Sequence, residues 1–252
     1  MILKQGERKM SICIATTSGK GGTGKSTLSS ALALCFAKMG KKVLLVDMDE
    51  GLRCLDLIFG VDDSIVYDLS DILNGIAVSD ATYTSPTNPL INIVPAPTDV
   101  GSISSEGLCN FAEKVKSIYD IVIFDFPAGL DFSLYSAIGP DVQFLAVCNP
   151  DPVSVRDAAA VCSALPQTKN PARLVINRFD AEFIKKKIYS NIDDIIDISG
   201  FRLLGIVPQC TQLMLLPVNH SIKNKSRSFK AVSRIARRLC GEEVRLPKIK
   251  KI

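Results

Sequence analysis

Seven short apolar runs recur along the chain, separated by stretches of helical periodicity, and this alternation restricts the folds open to it. The runs are SICIATT at 11–17, KVLLVD at 42–47, INIVPA at 91–96, IVIFDF at 121–126, VQFLAVCN at 142–149, RLVIN at 173–177 and LLGIVP at 203–208. Their nearly unbroken apolar character is what a strand needs when helices cover both faces of a parallel sheet; a half-solvated strand would alternate. The expected architecture is α/β: a doubly wound, mainly parallel sheet of about seven strands with helices on both faces. Helices are expected over 26–39, with Gly40 as a left-handed cap, and over 65–74, 103–117, 152–165, 179–188 and 226–240.

At 252 residues and 47% hydrophobic content, the chain can bury one large core. Residues 11–240 are expected to form that single domain, after a disordered extension at 1–10 and before a short basic tail at 241–252. Cysteines at 13, 35, 54, 109, 148, 162, 210 and 240 are irregularly spaced and include no CxxC pair. With no secretory leader evident, they read as reduced thiols of a cytoplasmic protein rather than a disulfide framework or zinc site. No apolar run approaches the roughly 18 residues of a membrane span. The net charge of +4 is unevenly placed: residues 223–252 carry eleven Lys or Arg against two acidic residues, net +9, while 1–222 carry 19 basic against 24 acidic, net −5. A basic end on an acidic body points to an anionic partner, either membrane or nucleic acid, or else to a solvated helix face.

Between the first strand and the first helix lies GKGGTGKS at 19–26, which satisfies G-x-x-x-x-G-K-[ST]. Gly19, Gly21, Gly22 and Gly24 allow backbone conformations closed to other residues, so that successive N–H groups can converge on phosphate oxygens. The helix starting beyond them aims its positive end at the same place. Lys25 is expected to reach the β- and γ-phosphates and the Ser26 hydroxyl to ligate Mg2+. The expected nucleotide contacts are Gly19, Lys20, Gly21, Gly22, Thr23, Gly24, Lys25, Ser26 and Thr27. Two further runs end in carboxylates, at Asp47-Met48-Asp49 and at Asp125. Carboxylates at the C-terminal ends of parallel strands face the ligand crevice, and Asp125 after four apolar residues fits a magnesium-binding strand end.

The second lysine, Lys20, makes the loop resemble the deviant Walker A signature of the MinD/ParA family of ATPases. That resemblance implies ATP and Mg2+ as cofactors and slow hydrolysis to ADP and phosphate. It also implies an ATP-dependent homodimer in which Lys20 reaches the phosphates bound by the other subunit. Asp49 is expected to orient the attacking water and Asp47 to help hold the magnesium shell. The catalytic set is then Lys20, Lys25 and Asp49, and the metal set Ser26, Asp47 and Asp125. Asn177, Arg178 and Pro208 match positions that recognise the adenine base in this group, with Asn177 bonding the ring edge.

The stretches EGLRCLDLIFG at 50–60, VYDLSDILNG at 66–75, DFPAGLD at 125–131 and NPDPVSVRDA at 149–158 are similar to the branch of that family that selects the cell-division site. The expected role is to place septum regulators, an inhibitor and an ATPase-stimulating factor, at the inner face of the cell membrane. DNA partitioning and a soluble nucleotide-gated adaptor remain as alternatives. Three departures stand out: Gln209 and Cys210, where acidic residues are usual, and Glu50, where an uncharged residue is expected. Phe229, Val232, Ile235, Ala236 and Leu239 form one stripe expected to dock on the body. In the tail, Leu246, Ile249 and Ile252 share a spacing of three, and Lys248, Lys250 and Lys251 suit anionic lipid. Pro247 leaves too short a segment for a stable isolated helix. The lone His220 is read as a loop residue.

Overall fold

The computed structural model describes residues 11–180, 182, 186, 188, 189, 191–223 and 226–247. All seven expected strands form: β1 (Ile12–Ser18), β2 (Val43–Asp47), β4 (Ile91–Val94), β5 (Ile121–Ala128), β6 (Gln143–Cys148), β7 (Arg173–Phe179) and β8 (Arg202–Pro208). An eighth, β3 (Tyr83–Thr84), joins β4 antiparallel at the sheet edge. Two residues are too few for periodicity to reveal. The sheet order is β3-β4-β2-β5-β1-β6-β7-β8, and every pair except β3 with β4 is parallel. Chain order reverses on either side of β1, so the loop leaving β1 opens at a topological switch point, where such sheets bind ligands.

Strand residues divide between the two faces. Ile14, Leu45, Ile123, Leu145 and Val175 pack with helix α1 (Lys25–Lys38) and the C-terminal helix on one side. On the other, Ala15, Val46, Val122 and Phe124 meet α4 (Ser105–Lys116), while Ala146, Cys148 and Ile176 meet α5 (Pro152–Ala164) and α6 (Ile192–Ser199). Alternate residues of each strand therefore enter different cores, and both cores are apolar, as the unbroken runs imply. Helix α1 is buried nearly all round, lying between the sheet and α9 (Arg227–Leu239). Gly40 has φ 74 and so supplies the expected left-handed conformation after α1. The stripe on α9 docks as expected: Val232, Ile235, Ala236 and Leu239 are buried, and Phe229 lies beneath the Lys38 ammonium.

The helices depart from expectation where side chains compete for the backbone. The helix expected over 65–74 begins only at Leu69 as α3 (Leu69–Leu73), because Asp68 and Asp71 form a reciprocal capping box. The N–H groups of Val66 and Tyr67 go instead to the Tyr83 hydroxyl. Helix α6 was not anticipated, although Asn191 at its N-cap and Gly200 after it are readable boundary signals. The short helices α2 (Leu55–Phe59), α7 (Thr211–Met214) and α8 (Leu216–Asn219) were also not anticipated. Half of the helix expected over 179–188 lies outside the described residues, and Phe179 belongs to β7. His220 ends α8, with its ring Nδ1 2.8 Å from the Ile58 carbonyl, so it joins two surface segments. The extension at 1–10 and residues 248–252 lie outside the described residues.

Gly205 on β8 lets α9 approach closely. A Cβ there would overlap the Ile235 side chain, lying 2.7 Å from Cδ1 and closer still to Cγ1. Gly205→Ala should therefore lower stability by about 1–3 kcal/mol in urea unfolding. In an Ile235→Ala background the same change should cost markedly less; an equal cost would show that Ile235 is not what the methyl group meets.

Candidate nucleotide site

The loop at 19–24 leaves β1 and feeds α1, and two of its glycines have positive φ, 76 at Gly22 and 86 at Gly24. Space is the second reason for glycine. A Cβ on Gly24 would overlap the Asn177 amide nitrogen, and one on Gly19 would come within 2.7 Å of the Asp157 carbonyl oxygen on α5. Asn177 donates from Nδ2 to the Thr23 carbonyl at 2.8 Å, so the end of β7 holds the loop. Lys20 and Gly21 are exposed at its outer turn, whereas Lys25 is 7% exposed.

Asp125 sits beneath the loop with no exposure, and its Oδ1 is heavily engaged. It accepts from Thr16 Oγ1 at 2.7 Å and Ser29 Oγ at 2.9 Å, and lies 3.8 Å from Lys25 Nζ. Thr16 is the register partner of Asp125 across β1 and β5, while Ser29 lies one helical turn beyond Lys25. Neither was anticipated: Ser29 is an ordinary helix residue in sequence, and the role of Thr16 depends on strand register. Asp47 faces Asp125 across the β2–β5 pairing. Its Oδ1 accepts from the Asp49 N–H at 3.1 Å, and its Oδ2 from the N–H groups of Cys54 and Leu55 at 3.0 and 3.1 Å. Asp47 thus anchors the segment that follows it. Burial, reinforced by Asp125, pushes the Asp47 carboxyl up to about 6 against those three donors. Asp49 is half-buried; burial raises its carboxyl while Lys25 lowers it and Asp125 raises it further.

Two buried polar atoms at the site have no hydrogen-bond partner, Asp125 Oδ2 and Thr23 Oγ1. An unsatisfied carboxylate oxygen beneath a phosphate loop, opposed by a second buried carboxyl, suits a hydrated cation, and an unsatisfied hydroxyl in the loop suits a phosphate. Among the described residues no three His, Cys, Asp or Glu side chains converge as a metal cage. Mg2+ needs no such cage, since it is commonly held through one or two carboxylates, water and nucleotide phosphates. Ser26 and Asp125 would be the residues to hold it, whereas both oxygens of Asp47 already accept backbone N–H groups. Bound Mg2+ would neutralise charge developing on the phosphates.

A cavity of about 310 Å³ includes Ser18, the loop from Gly21 to Thr27, Asp49 and Cys54 in its lining. It shares Gly24, Thr27 and Arg178 with a smaller one of about 90 Å³, bounded by Asn177, Pro208, Gln209, Cys210, Leu213 and Met214. The first suits phosphates and the second the edge of a base. Leu213 and Met214 had not been anticipated; their short helix α7 carries little periodic signal. Arg178 has φ 51 without being glycine, a conformation that costs about 1–3 kcal/mol and brings its side chain to both cavities. The structure thus brings Lys25, Ser26 and Asp49 to one cavity, with Asp125 buried behind Lys25 and Asp47 beside it, and Asn177, Arg178 and Pro208 to the next. Asn177 Nδ2 is used by the loop itself.

A family profile described as the CobQ/CobB/MinD/ParA nucleotide binding domain matches residues 14–222. The septum site-determining protein MinD of Bacillus subtilis is 35% identical, over 94% of this chain and 92% of that protein. In the MinC:MinD cell division protein complex of Aquifex aeolicus, the matched chain is 31% identical with a TM-score of 0.84, over 94% of this chain and 99% of that one. The septum site-determining MinD of Pyrococcus horikoshii, solved with Mg-ADP, is 27% identical with a TM-score of 0.77, over 91% and 96% of the respective chains.

Asp125→Asn keeps an oxygen for Thr16 and Ser29 but removes the charge opposite Lys25. Its affinity for an ATP analogue should fall by ~10-fold with Mg2+ present and by much less in EDTA. Equal losses under both conditions would remove Asp125 from the metal set.

Proposed function

Since this chain belongs to the MinD/ParA nucleotide-binding family, and within it to the septum site-determining branch, we propose that it works as an ATP-driven dimerisation switch. It is a cell-division ATPase of the MinD type and uses ATP and Mg2+. The observation that carries the switch reading is Lys20. This lysine stands exposed at the outer turn of the loop while Lys25 is buried against Asp125, so the two are available for different phosphates. In the proposed cycle Lys25 and the loop amides hold the bound nucleotide, and Ser26 and Asp125 hold Mg2+. Asp49 orients the attacking water, and Lys20 crosses to the nucleotide of a second copy.

The rim of the site supports a second copy as the occupant of that face. Leu52 and Val100 are 73% and 82% exposed, and Leu130 and Val153 are exposed as well. Leu52 follows Asp49 by three residues and neighbours Gly51, which lies against Val100; the Gly129 N–H donates to the Ser18 carbonyl, and α5 abuts Gly19. An apolar rim around a charged centre is the composition of an interface. A MinC-like division-site regulator is the proposed partner of the dimer, on the strength of the Aquifex complex.

Membrane attachment is assigned to the tail. No described helix is long and apolar enough to cross a membrane. Much of the arginine on α9 is used within the chain: Arg238 donates to the carbonyls of Leu204 and Val244, and Arg237 pairs with Glu242. This weakens a DNA-binding reading based on α9 and leaves residues 242–252, with Leu246 exposed, as the candidate anchor.

Three measurements test this reading. Asp49→Ala should reduce ATP turnover on the order of 100-fold while leaving nucleotide affinity within about twofold. Lys20→Ala should still bind ATP but stay monomeric by light scattering; an ATP-dependent dimer would remove Lys20 from the interface. On anionic liposomes, the full chain with ATP and Mg2+ should co-sediment, whereas a chain ending at Gly241 should not. Failure of both to pellet would favour a soluble adaptor.

A further inference from the structure

Glu50 follows Asp49 directly and replaces the uncharged residue expected there, yet its carboxylate is fully employed. Its Oε1 accepts from the N–H groups of Ser102 at 2.8 Å and Ile103 at 3.0 Å, and its Oε2 from Gly101 at 2.9 Å. Three consecutive amides converging on one anion form a nest of the kind that otherwise binds phosphate, here filled by the chain's own side chain. Gly101, with φ 84, adopts the left-handed conformation that aligns them. The nest lies just ahead of α4, whose N-cap is Ser104, so the carboxylate also faces the positive end of a twelve-residue helix. A fourth bond, from the Gly51 N–H to the Pro97 carbonyl at 2.9 Å, fastens the same two segments.

We propose that Glu50 is a positioning residue for ATP hydrolysis: it locks the segment carrying Asp49 onto loop 97–103 and thereby fixes the Asp49 carboxylate against the phosphate cavity. The proposal rests on the role given above to Asp49. Asp47 holds that segment at both ends, through the N–H groups of Asp49, Cys54 and Leu55. Glu50, next to Asp49, ties it to a separate part of the chain with charge-assisted bonds. Ile103 is buried in the core beneath α4, so the anchor is itself fixed. Without Glu50, the turn at 49–52 keeps its own Leu52 N–H to Asp49 carbonyl bond but loses three of its four ties to loop 97–103. Displacement of a water-orienting group by about 1 Å is enough to slow a reaction severely without altering substrate binding.

The test compares Glu50→Ala, Glu50→Gln, Asp49→Ala and the Asp49→Ala/Glu50→Ala double variant of the full chain. It measures kcat and KM for ATP with Mg2+, the Kd of a fluorescent ATP analogue, and amide exchange at residues 101–103. Glu50→Ala should lower kcat by about tenfold, with KM and Kd within about twofold. Amide exchange at 101–103 should accelerate, and Glu50→Gln, which keeps one acceptor, should recover part of both effects. The double variant should turn over no more slowly than Asp49→Ala alone. Parental turnover in Glu50→Ala, or a further tenfold loss in the double variant, would overturn the positioning role. Parental turnover in Asp49→Ala would instead overturn the role of Asp49, and faster exchange at 101–103 in Glu50→Ala would then still register the lock.

Discussion

Asp125 Oδ1 is the point on which strand pairing, helix placement and site charge all depend. Thr16 brings the central strand to it, Ser29 brings the first helix, and Lys25 brings the charge that opposes it. Two of these groups are hydroxyls and therefore satisfy the carboxylate without neutralising it. A buried carboxylate is tolerable only when hydrogen-bonded and paired, and here both needs are met by residues of the two elements that frame the phosphate loop. The second oxygen remains unsatisfied. One oxygen of this carboxylate thus holds the scaffold, and the other has no partner within the described residues.

Around that centre, the loop owes its shape to close packing as much as to glycine's flexibility. Gly24 combines a left-handed conformation with a gap that Asn177 fills, and Gly19 lies against the backbone of α5. The loop is therefore held by β7 on one side and α5 on the other. The Asn177 amide that bonds the Thr23 carbonyl also borders the smaller cavity. The smaller cavity and the glycine-rich loop therefore share one side chain as their physical support.

The legible parts of this architecture were those written in local pattern. Apolar runs located seven strands because both sheet faces are covered, and glycine spacing located the loop because Gly19 and Gly24 leave no room for a Cβ and Gly22 and Gly24 have positive φ. Contacts that depend on register were silent. Thr16 is one of several strand threonines until its pairing with Asp125 is known, and Ser29 is an ordinary helix residue until β5 is placed beneath it. Helix ends moved where side chains took over backbone groups, as Asp68 and Tyr83 do ahead of α3. Glu50 was visible as a departure, but its three partners lie about fifty residues onward, beyond the reach of local pattern.

That long-range tie bears on how an interface and an active site can be connected. Leu52 and Val100 are among the most exposed apolar side chains among the described residues, and they project from the two segments that Glu50 joins. Gly51 lies against Val100, so the apolar pair and the hydrogen-bonded tie form one small unit. In a dimer formed across this face, covering Leu52 and Val100 would restrain both segments together, one of which begins at Asp49. The tail proposed as an anchor would gain in the same event, since two tails on one dimer act at high effective concentration. Nucleotide occupancy, hydrolytic geometry and membrane avidity would then depend on one surface, without any conformational signal having to cross the body of the sheet.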